Sequence, residues 1–325
     1  MTDTTNHSPA TGSAYELAGR PVARVGYGAM SLEHLAGDAA SAVALLREAF
    51  DLGVDHVDTA DFYGDSTANT FLRRALRPDD DVLVATKVGA VRDTSGSVPL
   101  RAAQRPGELR AAVHDNLRSL GQDRLDLVYL RRLDVRPGLV AEGDQVVPLD
   151  DQLAELVRLR DEGTIGAIGL SAVSRETLSA ALPARIAAVQ NAYSVLARES
   201  EDMLELCGRE GVAWVPFFPL GSGFADLPQV TGQPEVTAVA ARLGVTPGQV
   251  GLAWLLQHAP HVLLIPGTSS RAHLAENVAV AGLRLDDDAV TELDGLYDAR
   301  FSGAAWSRAQ REGSPSSAPG GTVAS

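Results

Sequence analysis

The chain has 325 residues, with 28 basic and 42 acidic side chains and a formal net charge of −14. Apolar residues make up 45 %, enough for a full core, which excludes a mostly disordered chain. The acidic balance argues against a nucleic-acid binder, and a lone cysteine, Cys207, excludes an intramolecular disulfide framework or a cysteine-rich zinc site.

The length calls for two domains or one large α/β barrel. No segment approaches the roughly 18 apolar residues of a bilayer span. The polar start MTDTTNHSPATGSA does not read as a secretory signal, and the single thiol suits a reducing cytoplasm. Residues 1–14 and 301–325, rich in small and polar residues, read as flexible tails, the second with a lid over a pocket as its alternative. They flank one domain over 15–300.

YELAGRPVARVGYG reads as a hairpin turning near Ala18-Gly19-Arg20. SAVALLREAFDLG reads as a helix stopped by Gly53, VDHVDTA as a strand, and STANTFLRRALRP as a helix stopped by Pro78. DVLVATK is a strand, PGELRAAVHDNLRSLG a helix between Pro106 and Gly121, RLDLVYL a strand, DQLAELVRLRDEG a helix and TIGAIGLS a strand. SRETLSAAL, ESEDMLELCGREG, PGQVGLAWLLQH and RAHLAENVAVAG are helical; IAAVQN, GVAWVPF and HVLLIPG are strands. With VARVGYG as the first, this alternation predicts eight strand–helix units in about 280 residues, an α/β fold of the (β/α)8 TIM-barrel type with an N-terminal hairpin. An open doubly wound sheet is the alternative.

In such a barrel chemistry sits at the C-terminal ends of the strands. Those ends carry Asp58 (with Tyr63 five residues on), Lys87, Arg131 and Arg132, Ser171, Gln190 and Asn191, Phe217 and Phe218, and then Thr268 to Arg271. Polar caps explain Ser, Asn and Asp. They do not explain a lysine closing a buried strand, since an unpaired buried ammonium is costly, so Lys87 needs a carboxylate and Asp58 is the nearest candidate. An ammonium held beside a phenol lowers the phenol's pKa and makes Tyr63 a proton donor for a carbonyl oxygen. Carbonyl reduction also needs a hydride, which implies a nicotinamide cofactor.

The blocks DTADFYG, ATKVG, GLS, VQN, PFFPLG and IPGTSSRAHLAEN resemble, in order and spacing, those of the aldo-keto reductases, over about Leu17 to Tyr297. The wording is most similar to the bacterial pyridoxal reductase group. The resemblance implies an NADP(H)-dependent reduction of an aldehyde or ketone, with Asp58, Tyr63 and Lys87 as catalytic residues. It implies Ser171 and Gln190 on the nicotinamide carboxamide and Phe217 stacked on the ring. Leu220, Gly267, Ser269, His273, Glu276 and Asn277 also fall at cofactor-binding positions, the last four beside the adenosine end. Gly26 and Gly28 are expected to let cofactor or substrate approach the backbone. Arg271 is a candidate for the 2′-phosphate.

Three departures stand out. Arg131 replaces the family's usual histidine; it cannot act as a base, but it can polarise a carbonyl, grip an anion or serve as a structural ion-pair partner. Ala172 replaces an asparagine, and Phe218 a serine. His56 reads as core, His258 and His261 as structural, Arg132 as a surface residue and Asp61 as a turn former. A lyase or dehydratase without net hydride transfer, and a non-catalytic NADPH-sensing protein, remain alternatives. The expected partner is a small carbonyl compound, with no nucleic acid and no membrane; the oligomeric state is open, a monomer included.

Overall fold

Ala18 (φ 53°) and Gly19 (φ 79°) both adopt left-handed backbone, as a two-residue hairpin loop requires, and so turn the start of the chain back on itself. The computed structural model describes residues 14–95, 99–135, 139–221 and 229–297. The expected tails fall outside these residues except for Ala14.

The strands in chain order are Tyr15–Leu17 (β1), Arg20–Val22 (β2), Tyr27–Gly28 (β3), His56–Asp58 (β4), Leu83–Val88 (β5), Ala90–Arg92 (β6), Leu100–Ala102 (β7), Leu125–Arg131 (β8), Ile165–Ser171 (β9), Ile186–Gln190 (β10) and Ala213–Trp214 (β11). The α-helices are Ala39–Asp51 (α1), Thr67–Ala75 (α2), Pro106–Leu120 (α3), Leu149–Asp161 (α4), Arg175–Ala181 (α5), Glu201–Glu210 (α6), Pro234–Leu243 (α7), Pro247–His258 (α8), Arg271–Ala279 (α9) and Asp287–Asp294 (α10). Local chemistry sets many of their ends. The Asp38 side chain accepts from Ser41 N at the start of α1, and Thr246 with Gln249 closes a capping box on α8. Gly121 (φ 66°) ends α3.

β1 and β2 form the hairpin, and β6 pairs with β7 in a second hairpin, which no alternation in the sequence predicts. The other strands make one parallel sheet in the order β11-β10-β9-β8-β5-β4-β3. Residues 262–264 close it. Trp214 bridges Val262 on one side and Val25 bridges Leu264 on the other, both parallel. Leu263 N donates to Trp214 O (2.8 Å), and Gly26 N to Leu264 O (2.7 Å). These eight staves and the surrounding helices are the expected (β/α)8 barrel.

Alternation along each stave sorts the side chains. Val84, Val88, Val128, Leu130, Ile168, Leu170, Val189, Trp214 and Leu264 point out into the main core under the helices. Leu83, Ala85, Leu127, Tyr129, Ala188, Ala213 and Leu263 point into the barrel, where Leu17 and Val22 of the hairpin join them. By the same parity Asp58, Lys87, Arg131, Ser171 and Gln190 are inward residues of the last layer. Among the described residues no helix is long and apolar enough to cross a membrane.

Candidate active site

Register brings the expected residues to one rim. Gly28 lies opposite Asp58, Asp58 opposite Ala85, Lys87 opposite Tyr129, Arg131 opposite Ser171, and Ser171 opposite Gln190. Residues far apart in sequence thus become neighbours on adjoining strands.

The centre of the group is a buried ion pair. Lys87 Nζ donates to Asp58 Oδ1 and to the Thr59 carbonyl (3.0 Å), and both charged side chains are about 95 % buried, at 4 % and 5 % exposure. Asp58 Oδ2 accepts from Gln190 Nε2 at 2.6 Å. Lys87 Nζ lies 4.9 Å from the centroid of the Tyr63 ring. Burial alone would pull the ammonium's pKa down; the Asp58 charge and then the Tyr63 phenol outweigh it, so the pKa is raised and Lys87 stays charged. The inward partner predicted for Lys87 is therefore present.

Tyr63 stands on the turn after β4. Gly64, Asp65 and Ser66 take φ values of 60°, 56° and 64°, a run of left-handed residues that aims the turn back across the rim. Asp61 holds it: its Oδ1 accepts from Ser66 Oγ (2.8 Å) and from Ser119 Oγ on α3 (2.7 Å). Behind the strands Thr59 Oγ1 donates to Asn69 Oδ1 (2.7 Å), and Asn69 Nδ2 and Thr86 Oγ1 both donate to Asn116 Oδ1. This buried chain ties the strands of Asp58 and Lys87 to α2 and α3.

Arg131 faces the same space. Burial lowers its pKa, while the Tyr63 and Asp58 charges oppose the shift. Among the described residues it has no carboxylate within ion-pair distance, and its buried Nε has no hydrogen-bond partner. Asp58, the acid it senses, is already engaged by Lys87 and Gln190. Arg131 therefore carries a positive charge into the site without a counter-ion of its own. Its neighbour Arg132 points the other way, but it is not a plain surface residue: it pairs with Asp134 (2.9 Å) and donates to Gln152 Oε1 (2.5 Å).

The residues expected around a cofactor divide into three groups. Ser171 has a buried Oγ with no partner, a vacant hydrogen-bonding position beside Arg131 and Gln190 that suits a carboxamide. Gln190 is 1 % exposed, and its amide is already committed to Asp58. Phe217 is partly exposed at the rim, edge-on to Phe218 with centroids 5.1 Å apart. After the eighth stave, Gly267, Ser269, Arg271 and His273 are exposed, and Glu276 and Asn277 partly so. Gly267 and Ser269 lie just before α9 and the other four on it, where Ser270 Oγ caps His273 N. Arg271 Nε lies 3.2 Å from Glu48 Oε2 of α1.

Gly26, Gly28, Gly267 and Leu220 have packing duties the sequence reading did not give them. A Cβ on Gly28 would fall 2.4 Å from the Ile265 carbonyl oxygen, and one on Gly267 would fall 2.6 Å from Gly28 O. These two glycines let the first and last staves touch. A Cβ on Gly26 would strike the His56 ring at 2.3 Å, so this glycine makes room for a core histidine. Leu220 packs toward α8, where a Cβ on Gly251 would meet its Cδ2 at 2.7 Å. Ala172 (φ 54°) and Phe218 (φ 57°) are left-handed residues directly after inward site positions. Asparagine tolerates that backbone better than alanine, so Ala172 takes the left-handed bend without the amide an asparagine would bring.

The sequence reading missed Tyr129, Gln104 and Gln152. Tyr129 was legible: it shares the parity of Arg131 on the same strand, and it is buried with its ring over Gly169. Burial and the Asp58 charge push its phenol up, while Gln190 works against them. Gln104 and Gln152 carry no local sequence signal.

A (β/α)8 barrel whose rim gathers a buried Asp–Lys pair, a phenol and an unpaired arginine has the layout of an enzyme of the barrel class, with its polar groups at the C-terminal ends of the strands. The Aldo/keto reductase family matches residues 24–298, and the chain belongs to that family; it is an oxidoreductase. It is 43 % identical to pyridoxine 4-dehydrogenase of Escherichia coli over 295 residues, covering 87 % of this chain and 98 % of that protein. It is 34 % identical to an uncharacterised oxidoreductase of Schizosaccharomyces pombe, with 84 % and 86 % covered. A Klebsiella pneumoniae aldo/keto reductase solved in complex with NADP and acetate superposes with a TM-score of 0.73 at 25 % identity, over 88 % of this chain and 96 % of that one.

Proposed function

We propose that the protein reduces a pyridoxal-type aldehyde to its alcohol with NADPH, and runs the reverse oxidation with NADP+. The observation that carries this reading is the buried Lys87 ammonium, held by Asp58 and facing the Tyr63 ring. The relative named pyridoxine 4-dehydrogenase supports the substrate class.

NADPH, when bound, supplies the hydride that reaches the carbonyl carbon. The vacant Ser171 hydroxyl fits its carboxamide, and the Phe217 ring, Ser269, Arg271, His273, Glu276 and Asn277 are the residues to hold the rest. Tyr63 gives its phenolic proton to the carbonyl oxygen. Lys87 stabilises the phenolate left behind, and Asp58 keeps Lys87 charged and in place. Arg131 donates to the oxygen, or to an ionised hydroxyl beside the carbonyl, because it has no counter-ion in the site. A pyridoxal ring carries such a hydroxyl. The free, buried Cys207 supports a cytoplasmic location.

The test follows NADPH absorbance against a panel of aldehydes that includes pyridoxal. NADPH oxidation with pyridoxal and anionic aldehydes is the expected result. Substrate loss with NADPH intact would make the protein a lyase, and tight NADPH binding with no turnover would make it a sensor.

A further inference from the structure

We infer that Gln104 is a positioning residue of the active site: its amide staples the strand ends that carry Lys87 and Arg131, and an Arg132–Gln152 relay sets its orientation. The inference rests on the reductase reading above.

The β5–β8 register ends at Val88 opposite Leu130. The next carbonyls, Gly89 and Arg131, lie past that ladder, and Gln104 Nε2 donates to both, at 2.5 Å and 2.8 Å. One amide nitrogen with two hydrogens therefore extends the pairing of two strands by one step, two residues beyond Lys87 and on Arg131 itself. Gln104 is 1 % exposed. The junction has no spare room: Gly89 has φ +98°, and a Cβ there would lie 2.4 Å from Arg131 O and 2.9 Å from Gln104 Nε2.

The direction of the amide follows from donor chemistry. A guanidinium only donates. Arg132 Nη1 points at Gln152, so the atom it meets is Oε1 (2.5 Å). Gln152 must then turn Nε2 toward Gln104, where it donates to Oε1 (2.7 Å) and to the backbone oxygen (2.9 Å). Gln104 in turn presents Nε2 to the two carbonyls. Gln152 is fully buried, so water does not reset this order. Arg131 and Arg132 thus have separate tasks on opposite faces of one strand: the first enters the site, and the second orients the clamp that holds it.

Gln104→Met keeps the length and removes both donors. The expected result is a fall in kcat of about tenfold or more, since small misplacements of reacting groups cost up to about 10²-fold. NADPH affinity, read by fluorescence quenching, should change less than twofold, and kcat is counted per NADPH-binding molecule so that unfolded protein does not enter. KM for the aldehyde should change less than kcat, because the displaced Lys87 and Arg131 act on the reacting oxygen in the chemical step. Gln152→Met, which leaves Gln104 in place but frees its amide to flip, should lower kcat with the same split by a smaller factor; it replaces the first variant if that fails to fold. A Gln104→Met enzyme with wild-type kcat, whatever its melting temperature, overturns the positioning role. A wild-type enzyme that turns over no aldehyde overturns the reductase reading, and the positioning role with it.

Discussion

Asp58 and Lys87 form an ion pair almost wholly removed from water, and the pair is completed from the far side of the barrel by Gln190 on Asp58 Oδ2. Breaking one partner of such a pair costs more than the pair contributes, because the other charge stays buried. Asp58→Asn should therefore destabilise the protein by about 3–5 kcal/mol in urea unfolding and abolish most turnover.

The same pair sets an alkaline limit. Lys87 has a folded-state pKa above its ordinary value of 10.5, so its contribution to stability is complete below that pH. It is lost as the pH rises through the folded value. Thermal melts taken at increasing pH above 10.5 should decline more steeply in the wild type than in the Asp58→Asn protein, where only the buried phenols such as Tyr129 contribute. An identical decline in both proteins would remove Lys87 as its source.

Tyr63→Phe deletes the proton donor and leaves the ring. Turnover should fall by roughly 10²- to 10⁴-fold, the usual weight of a general acid, with NADPH affinity nearly unchanged. Retained turnover would transfer the donor role to water.

Arg131→Met should separate substrates by charge. A charge-assisted hydrogen bond to an anionic substrate group is worth roughly 10- to 100-fold in kcat/KM. Aldehydes with an ionised neighbouring group should lose that factor and neutral ones should lose less. Equal losses would restrict Arg131 to the carbonyl oxygen itself.

Gly28→Ala tests the seam of the barrel. Its Cβ would press on the Ile265 carbonyl oxygen, so the first and last staves must separate. A loss of about 1–3 kcal/mol is expected, with NADPH affinity per folded molecule preserved. Lost affinity with intact stability would return Gly28 to the cofactor.

The eight-stave count, the strand ends and the Asp–Lys–Tyr set were all legible in the sequence. Each rests on a local rule: alternation of elements, polar residues at strand ends, and the cost of a lone buried ammonium. Tyr129 follows from the same parity. The β6–β7 hairpin was not legible, because its strands are three residues each, too short to show an alternation of apolar and polar positions. The glycines were legible as places of close approach but not as to what approaches; at Gly28 the neighbour is a strand more than 200 residues away in sequence.

The sequence by itself determined which side chains face inward and which chemistry they could share, since parity and charge are properties of short stretches. Only the tertiary structure decided their partners. Barrel closure sets Gly28 against Ile265, brings Gln190 to Asp58 across the interior, and draws Gln104 over the ends of two strands it does not belong to. Those contacts depend on distances across the closed barrel, which no local pattern along the chain encodes.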